Sequence, residues 1–159
     1  VITTNGNTAA VLLRDNVIDI PVDDTVFDPD DPAADPPTEA QSTGHNGIRL
    51  LANSGTLNAT IVNNFIDSND LQIPGDNLGS INATVVEGSI FLDAYENGDG
   101  NGVAADPVIF EDIGGGTLNV VQTSAGNFSS LNNNVDVDVV GGAPVFGAPA
   151  PILPPVITP

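Results

Sequence analysis

Two acidic stretches of the chain carry the residue types that bind hard cations. In the first, residues 21–46, aspartates are packed among prolines, and the candidate ligands are Asp23, Asp24, Asp28, Asp30 and Asp31. In the second, residues 90–107, acidic and amide side chains surround three glycines, and the candidate ligands are Asp93, Glu96, Asn97, Asp99, Asn101 and Asp106. Calcium prefers several carboxylate and carbonyl oxygens on a flexible backbone. The sequence therefore predicts Ca²⁺ as a candidate cofactor at both stretches.

Each stretch also has an interpretation without metal. Closely spaced prolines forbid a continuous helix, so residues 21–46 also fit a solvated acidic insertion. Alternating Asn, Asp and Gly residues suit tight turns, and the spacing in residues 90–107 departs from the EF-hand pattern, which requires a Glu at the twelfth position. Both alternatives stay open at the level of the sequence.

The charge balance excludes whole classes of partner. The chain has 21 acidic residues against two basic ones, Arg14 and Arg49, for a formal net charge of −19. Binding to nucleic acid or to anionic lipid depends on Lys and Arg, so neither is expected as a partner. No apolar run approaches the ~20 residues that cross a bilayer, so no membrane span is predicted. Such one-sided charge destabilises a compact fold unless ions screen it, which predicts an environment rich in salt or divalent cations.

The chain contains neither cysteine nor methionine. Without cysteine it has no disulfide and no thiolate metal ligand. The missing initiator Met, together with a first segment that lacks signal-peptide character, predicts a processed piece of a longer protein.

The elements that position these residues are indicated by an internal repeat. The unit GTLNATIVNNFID, residues 55–67, resembles GSINATVVEGSIF, which begins 24 residues later at Gly79. Moved back by 48 residues, the same frame falls on NTAAVLLRDNVID, and a further copy, GTLNVVQ, begins at Gly116. A fixed period in the twenties is typical of a solenoid, whose units bury their apolar faces only by stacking.

Alternation inside the unit predicts strands rather than helices. Leu57, Ala59 and Ile61 are apolar at every second position, with polar residues between them, and a period of two is that of a half-buried strand. We therefore predict an all-β fold in which residues 1–140 form a parallel β-solenoid domain with the acidic insertion at about 21–46. Like residues of successive coils lie above one another in such a fold, so Asn58, Asn82 and Asn119 are predicted to form structural amide ladders. No capping helix is expected at either end.

The last segment, residues 141–159, is an extended Pro-rich tail. Its apolar side chains would be exposed on a free tail, so it is predicted to lie in a groove, on the flank of its own solenoid or on a neighbouring subunit. We favour the neighbouring subunit, with an assembly role for Val145, Phe146, Ile152, Leu153, Val156 and Ile157.

Three Asn residues satisfy the N-glycosylation sequon: Asn58, Asn82 and Asn127. Chance matches are expected in a chain this rich in Asn and Thr, and two of the three lie on the predicted strand of the repeat. They are retained as candidate modification sites.

The stretch GIRLLANSGTLNATIVNNFIDSN, residues 47–69, resembles the Asn-rich parallel β-helix repeats of very large secreted bacterial surface proteins and adhesins. The resemblance covers about the central two thirds of the chain. It implies a right-handed parallel β-helix displayed outside the cell or at the cell surface. It does not identify an activity, because the same coils carry adhesins, polysaccharide lyases and inert stalks.

Two classes of function compete. Open solenoid ends are prone to association, which predicts a structural subunit of an extracellular filament that binds further copies of itself by head-to-tail stacking and tail docking. The alternative is a polysaccharide-binding or polysaccharide-cleaving β-helix protein with cell-surface glycans as partners, or a calcium-binding adhesin module. Lyase chemistry needs a base beside a cation, and only Arg14 and Arg49 supply cationic side chains. The sequence therefore predicts no enzymatic activity.

Overall fold

The computed structural model of the protein describes residues 1–20, 47–68, 81–99, 108–133 and 135–153. These residues are mostly β-structure with one short helix. The elements are β1 (Ile2–Thr4), β2 (Thr8–Arg14), β3 (Val17–Ile20), β4 (Ile48–Ala52), β5 (Thr56–Val62), β6 (Phe65–Ser68), β7 (Ile81–Val85), β8 (Ser89–Tyr95), β9 (Gly98–Asp99), β10 (Val108–Asp112), β11 (Thr117–Val120), α1 (Ala125–Leu131), β12 (Val137–Gly141) and β13 (Val145–Phe146).

The described strands form three parallel sheets that the chain visits in turn. Sheet A has the order β1-β4-β7-β10-β12, sheet B the order β13-β11-β8-β5-β2, and sheet C the order β3-β6-β9. We call one passage through the sheets a coil, so that coil 1 is β1 to β3, coil 2 is β4 to β6, and coil 3 is β7 to β9. Coil 4 comprises β10, β11 and α1, and coil 5 comprises β12 and β13. Every strand pair is parallel, and each joins consecutive coils.

The predicted alternation of strand residues is confirmed. Leu57, Ala59 and Ile61 of β5 are fully buried, and so are the matching residues of β8. Burial of a side chain as large as Leu57 or Ile61 stabilises the fold by roughly 1.5–3 kcal/mol. The polar residues Asn58 and Thr60 on the opposite face of β5 are also buried, to 5% and 7% exposure. Sheet B is therefore covered on both faces at this strand.

The predicted 24-residue period is wrong. Thr8, Thr56, Ser89 and Thr117 share one register position, so successive units of sheet B are 48, 33 and 28 residues apart. The 48-residue frame is thus confirmed, but it is a single coil step. The stretch Ile81–Val85, which resembles the central unit, instead forms β7 in sheet A. All strands of this fold share the period of two, so local similarity does not reveal to which sheet a strand belongs.

Glycines recur just before the sheet B strands β5, β8 and β11, because the backbones of successive coils approach closely there. Gly55 has φ +82°, and a Cβ on it would collide with the carbonyl oxygen of Asn7. A Cβ on Gly88 would lie 2.8 Å from the carbonyl oxygen of Gly55, and one on Gly116 would lie 2.6 Å from that of Gly88. In coils 2 to 4 this corner position is therefore restricted to glycine, whereas coil 1 has Asn7 at the equivalent position.

The helix α1 was not predicted, and it lies within the chain, followed by β12 and β13, rather than at an end. It begins after Ser124, whose hydroxyl accepts a hydrogen bond from the Asn127 backbone N–H. Phe128 is fully buried, and its ring meets that of Phe110 edge to face at 5.1 Å. Within β8, only residues 89–92 pair with β11, and α1 also contacts β8. The short sequence AGNFSSL has only two large apolar residues, Phe128 and Leu131, too few to produce a recognisable helical period.

Candidate assembly surface

A ladder of four asparagines lies where sheet B leads into sheet C. Asn16 Nδ2 donates to Asn64 Oδ1 at 2.7 Å, Asn64 Nδ2 to Asn97 Oδ1 at 2.9 Å, and Asn97 Nδ2 to Asn132 Oδ1 at 2.8 Å. Asn64, Asn97 and Asn132 are at most 4% exposed. The side chains also satisfy backbone groups at the bend, since Asn97 Nδ2 donates to the Ile61 carbonyl and Asn132 Nδ2 to that of Ala94. The ladder thus fixes the position of each coil on the next.

The predicted ladder of Asn58, Asn82 and Asn119 is wrong. Asn82 lies in sheet A, whereas Asn58 and Asn119 lie in sheet B with Phe91 between them in the register. Each has a different partner: Asn58 Oδ1 accepts from the Ile152 N–H, and Asn119 Nδ2 donates to the Ile90 carbonyl. The correct ladder follows a residue with positive φ in coils 1 to 3, namely Asp15, Asn63 and Glu96. An Asn at a bend was the only sequence signal for it.

Among the described residues, the apolar core is open at coil 1. The three strands of this coil are the outermost strands of their sheets on this side, so one edge of each has no described partner strand. Ala9, Val11 and Leu13 of β2 point inward like their buried counterparts in β5, yet they are only partly buried. Unpaired edge strands and an uncovered core are the features through which sheets join further chains.

The core is open again at coil 5. The partly buried residues packed against the core are Ile2, Ala9, Val11, Leu13 and Ile18 in coil 1 and Val137 and Phe146 in coil 5. No such residue belongs to coils 2 to 4 within the described ranges. At this end the last strand of sheet A is β12, and the last strand of sheet B is the two-residue β13. Sheet C already ends at β9. The two open ends therefore differ in the strands they present.

The described part of the Pro-rich segment lies on the chain's own sheet B. β13 pairs with β11, the Gly147 N–H donates to the Gln122 carbonyl at 2.8 Å, and the Ile152 N–H donates to Asn58 in β5 at 3.2 Å. The segment thus returns across the outer face of sheet B from coil 5 to coil 2. Docking on a neighbouring subunit stays a prediction.

The predicted assembly residues have different environments. Val145 and Ile152 are exposed, at 51% and 81%. Phe146 and Leu153 are half-buried, and the Phe146 ring lies 6.4 Å from that of Phe110. Val156 and Ile157 lie outside the described residues.

The predicted calcium ligands are only partly described. Asp93 Oδ1 accepts a hydrogen bond from Gln122 Nε2 at 2.9 Å, Glu96 is exposed, and Asp99 lies in β9. Asn97 is committed to the ladder, because its Oδ1 accepts from both the backbone and the side chain of Asn64. Among the described residues, no group of three or more acidic or His side chains is placed to hold a metal ion. The other candidates lie outside the described ranges: Asp23, Asp24, Asp28, Asp30, Asp31, Asn101 and Asp106.

The candidate glycosylation sites are mostly interior. Asn58 and Asn82 are 5% and 2% exposed, and the Asn82 Oδ1 accepts a hydrogen bond from the Thr84 hydroxyl. Asn127 is half-buried in α1, where its Oδ1 accepts from the Thr123 backbone. Of the three, Asn127 has the most accessible side chain.

Comparisons of this chain with protein-family models, with curated proteins and with solved structures found no match. In the part of the chain that the structure describes, no helix is both long and apolar enough to cross a membrane. The function is therefore inferred from the geometry of the coils and their ends.

Proposed function

We propose that the chain is a right-handed parallel β-helix that serves as a structural subunit of an extracellular or cell-surface filament, assembling head to tail. The β-helix is supported by the order of the strands, since the chain passes sheets A, B and C in turn and every strand pair is parallel. The hand is supported by the strong general preference for right-handed connections between parallel strands of one sheet.

The observation that carries the assembly is the open core at both ends. In the part of the chain that the structure describes, every partly buried residue packed against the core belongs to coil 1 or coil 5. Stacking coil 1 of one copy on coil 5 of another would cover the inward side chains of β2 together with Phe146. It would also pair backbone groups along the edges of β1 and β12, and unpaired sheet edges favour such contacts.

The two ends present different surfaces, so their contact is heterologous. A heterologous contact that does not close into a ring produces an open filament. The helix α1 does not block this contact across sheet A, because β12 follows α1 in the chain and forms the edge of that sheet.

An extracellular or surface location is supported by the resemblance of residues 47–69 to secreted repeat proteins and by the net charge of −19, which favours surroundings rich in ions. The alternatives, a polysaccharide-binding or polysaccharide-cleaving protein and a calcium-binding adhesin module, stay predictions. The two residues that could supply a cation for lyase chemistry, Arg14 and Arg49, are both exposed and lie on different sheets.

The test is a matched pair of charge substitutions on β2. Val11→Glu places a carboxylate on the inward face, where a stacked copy would bury it unpaired. Ala10→Glu adds the same charge one residue away on the exposed, outward face. We expect electron microscopy to show filaments for the wild type and for Ala10→Glu, and dispersed subunits for Val11→Glu. Circular dichroism checks that each variant keeps its β-structure.

Monodisperse wild-type protein over a wide range of concentration and salt would refute the proposal. So would a folded Val11→Glu variant that assembles like the wild type.

A further inference from the structure

Two rows of inward side chains run through all five coils. In sheet A, the row is Ile2, Leu50, Ala83, Phe110 and Val139. In sheet B, the row is Val11, Ala59, Leu92, Val120 and Phe146. Each row is fixed by the strand register, residue by residue.

The three middle members of each row are at most 1% exposed, whereas the end members are more exposed. Val139 is 45% exposed, and Ile2, Val11 and Phe146 are only partly buried. Each row thus begins and ends with an apolar side chain that lacks a neighbour on one side. Both ends of each row are apolar. The first residue of a row in a second copy would therefore suit the last residue of that row as a neighbour.

The spacing of the inward residues in coil 1 matches that of the coils that follow it. The two rows are nine residues apart along the chain in each of the first three coils, from Ile2 to Val11, from Leu50 to Ala59 and from Ala83 to Leu92. Coil 1 of a second copy therefore presents its two inward residues at the spacing found inside the stack.

We infer that the joint between copies continues this register, with β12 of one copy paired in parallel to β1 of the next and β13 paired to β2. Val139 then lies beside Ile2 of the next copy, Val140 beside Thr3, and Phe146 beside Val11. The inference rests on the proposed head-to-tail assembly and specifies which residues meet. Sheets A and B carry the joint, because sheet C ends at β9 in coil 3.

The occupant of each open end is a second copy of this chain. The contact reproduces the one that already holds consecutive coils together, with the same strand direction, the same alternation of inward residues and apolar side chains in both rows. It leaves the segment from Gly147 to Leu153 on its own sheet B, so assembly does not require that segment to be exchanged between copies.

Because the chain contains no cysteine, the register can be tested with engineered disulfides. Thr3 and Val140 belong to one row on the opposite face of sheet A, through Leu51, Thr84 and Glu111. In the proposed joint, their Cα atoms are about 4.8 Å apart, the spacing of neighbouring strands. This separation lies within the range that a disulfide spans.

The double variant Thr3→Cys/Val140→Cys is expected to form a ladder of covalent multimers when assembled material is mildly oxidised. The control Thr3→Cys/Asp138→Cys shifts one cysteine by two residues on the same face, to a diagonal separation of roughly 7–8 Å, beyond the reach of a disulfide without backbone movement. We expect the ladder to be lost in the control. The single variant Thr3→Cys is expected to stay monomeric on a non-reducing gel.

The possible outcomes distinguish the register of the joint from head-to-tail assembly itself. Filaments of the double variant without a covalent ladder, or an equal ladder in the shifted control, would overturn the register and leave head-to-tail assembly standing. A covalent dimer of the single variant Thr3→Cys would show that coil 1 meets coil 1 and would overturn both. Absence of filaments in the wild type would overturn the proposed function itself.

Discussion

Asn64 and Asn97 are 33 residues apart in the chain, yet the side-chain Nδ2 of Asn64 donates to Oδ1 of Asn97 at 2.9 Å in the interior of the bend between sheets B and C. Asn64 Oδ1 also accepts from the backbone and side-chain nitrogens of Asn16. One amide therefore connects three coils, and every member of this contact is an uncharged side chain. In a chain of net charge −19, this arrangement stacks polar residues without adding repulsion.

Truncation of the ladder is expected to be costly. Asn64→Ala removes the donor to the Leu13 and Val62 carbonyls and leaves buried polar groups unpaired. We expect the free energy of unfolding to fall by roughly 2–4 kcal/mol, as measured by urea denaturation. The matched control is Asn53→Ala, which removes an exposed Asn–Asn bond to Asn5 and is expected to cost under about 0.5 kcal/mol. Equal losses would argue against a special role for the buried ladder.

The helix is expected to depend on its single buried ring. Phe128→Ala removes the contact with Phe110 and opens a cavity in a fully buried site. The expected loss of unfolding free energy is roughly 3–5 kcal/mol. Leu131→Ala, in the same helix but 43% exposed, serves as the control and is expected to cost under about 1 kcal/mol. If Phe128→Ala costs no more than Leu131→Ala, the ring does not close the core.

The polarity of the assembly can be tested by mixing two blocked variants. Val11→Glu blocks the coil 1 end, and Val139→Glu blocks the coil 5 end. Each variant alone is expected to stay monomeric, whereas an equimolar mixture should form heterodimers, because one open end of each kind remains. Analytical ultracentrifugation measures the masses. Dimers of Val139→Glu alone would instead indicate that two coil 1 ends associate.

Assembly is expected to strengthen with ionic strength. Copies with a net charge of −19 repel one another, and the Debye length falls from about 30 Å at 0.01 M salt to about 3 Å at 1 M. Light scattering across this range should show filaments form at lower protein concentration as salt increases. A monovalent salt series that leaves the critical concentration unchanged would contradict this prediction. A response to divalent ions at constant ionic strength would indicate bound cations instead.

The bond between Asn58 and Ile152 is expected to hold the C-terminal segment on sheet B. Asn58→Ala removes the acceptor for the Ile152 N–H, so the exchange of that amide hydrogen should accelerate several-fold in hydrogen–deuterium exchange. Asn119→Ala, which removes only a bond to the Ile90 carbonyl, is the control. Because the Asn58 side chain is only 5% exposed, its truncation is also expected to lower the melting temperature. Unchanged exchange at Ile152 would show that other contacts hold the segment.

Several features of the fold followed from local pattern. Alternating aliphatic residues such as Leu57, Ala59 and Ile61 indicated strands with an inward face, and the match of residues 7–19 to residues 55–67 indicated two stacked units. Both are confirmed, because the period of a strand and its turn residues are properties of a short segment. The charge balance was likewise readable without a structure.

The sheet to which each strand belongs was decided only by the tertiary structure. Ile81–Val85 resembles Thr56–Val62 in residue types, yet it pairs with β4 because variable connections shift the register between coils. The identity of the amide ladder, Asn16, Asn64, Asn97 and Asn132, depends on the same register. Such a ladder needs side chains on consecutive coils rather than similar neighbours in sequence. Burial of Phe128 and the return of residues 147–153 over β5 are contacts between distant segments, so no local pattern contained them.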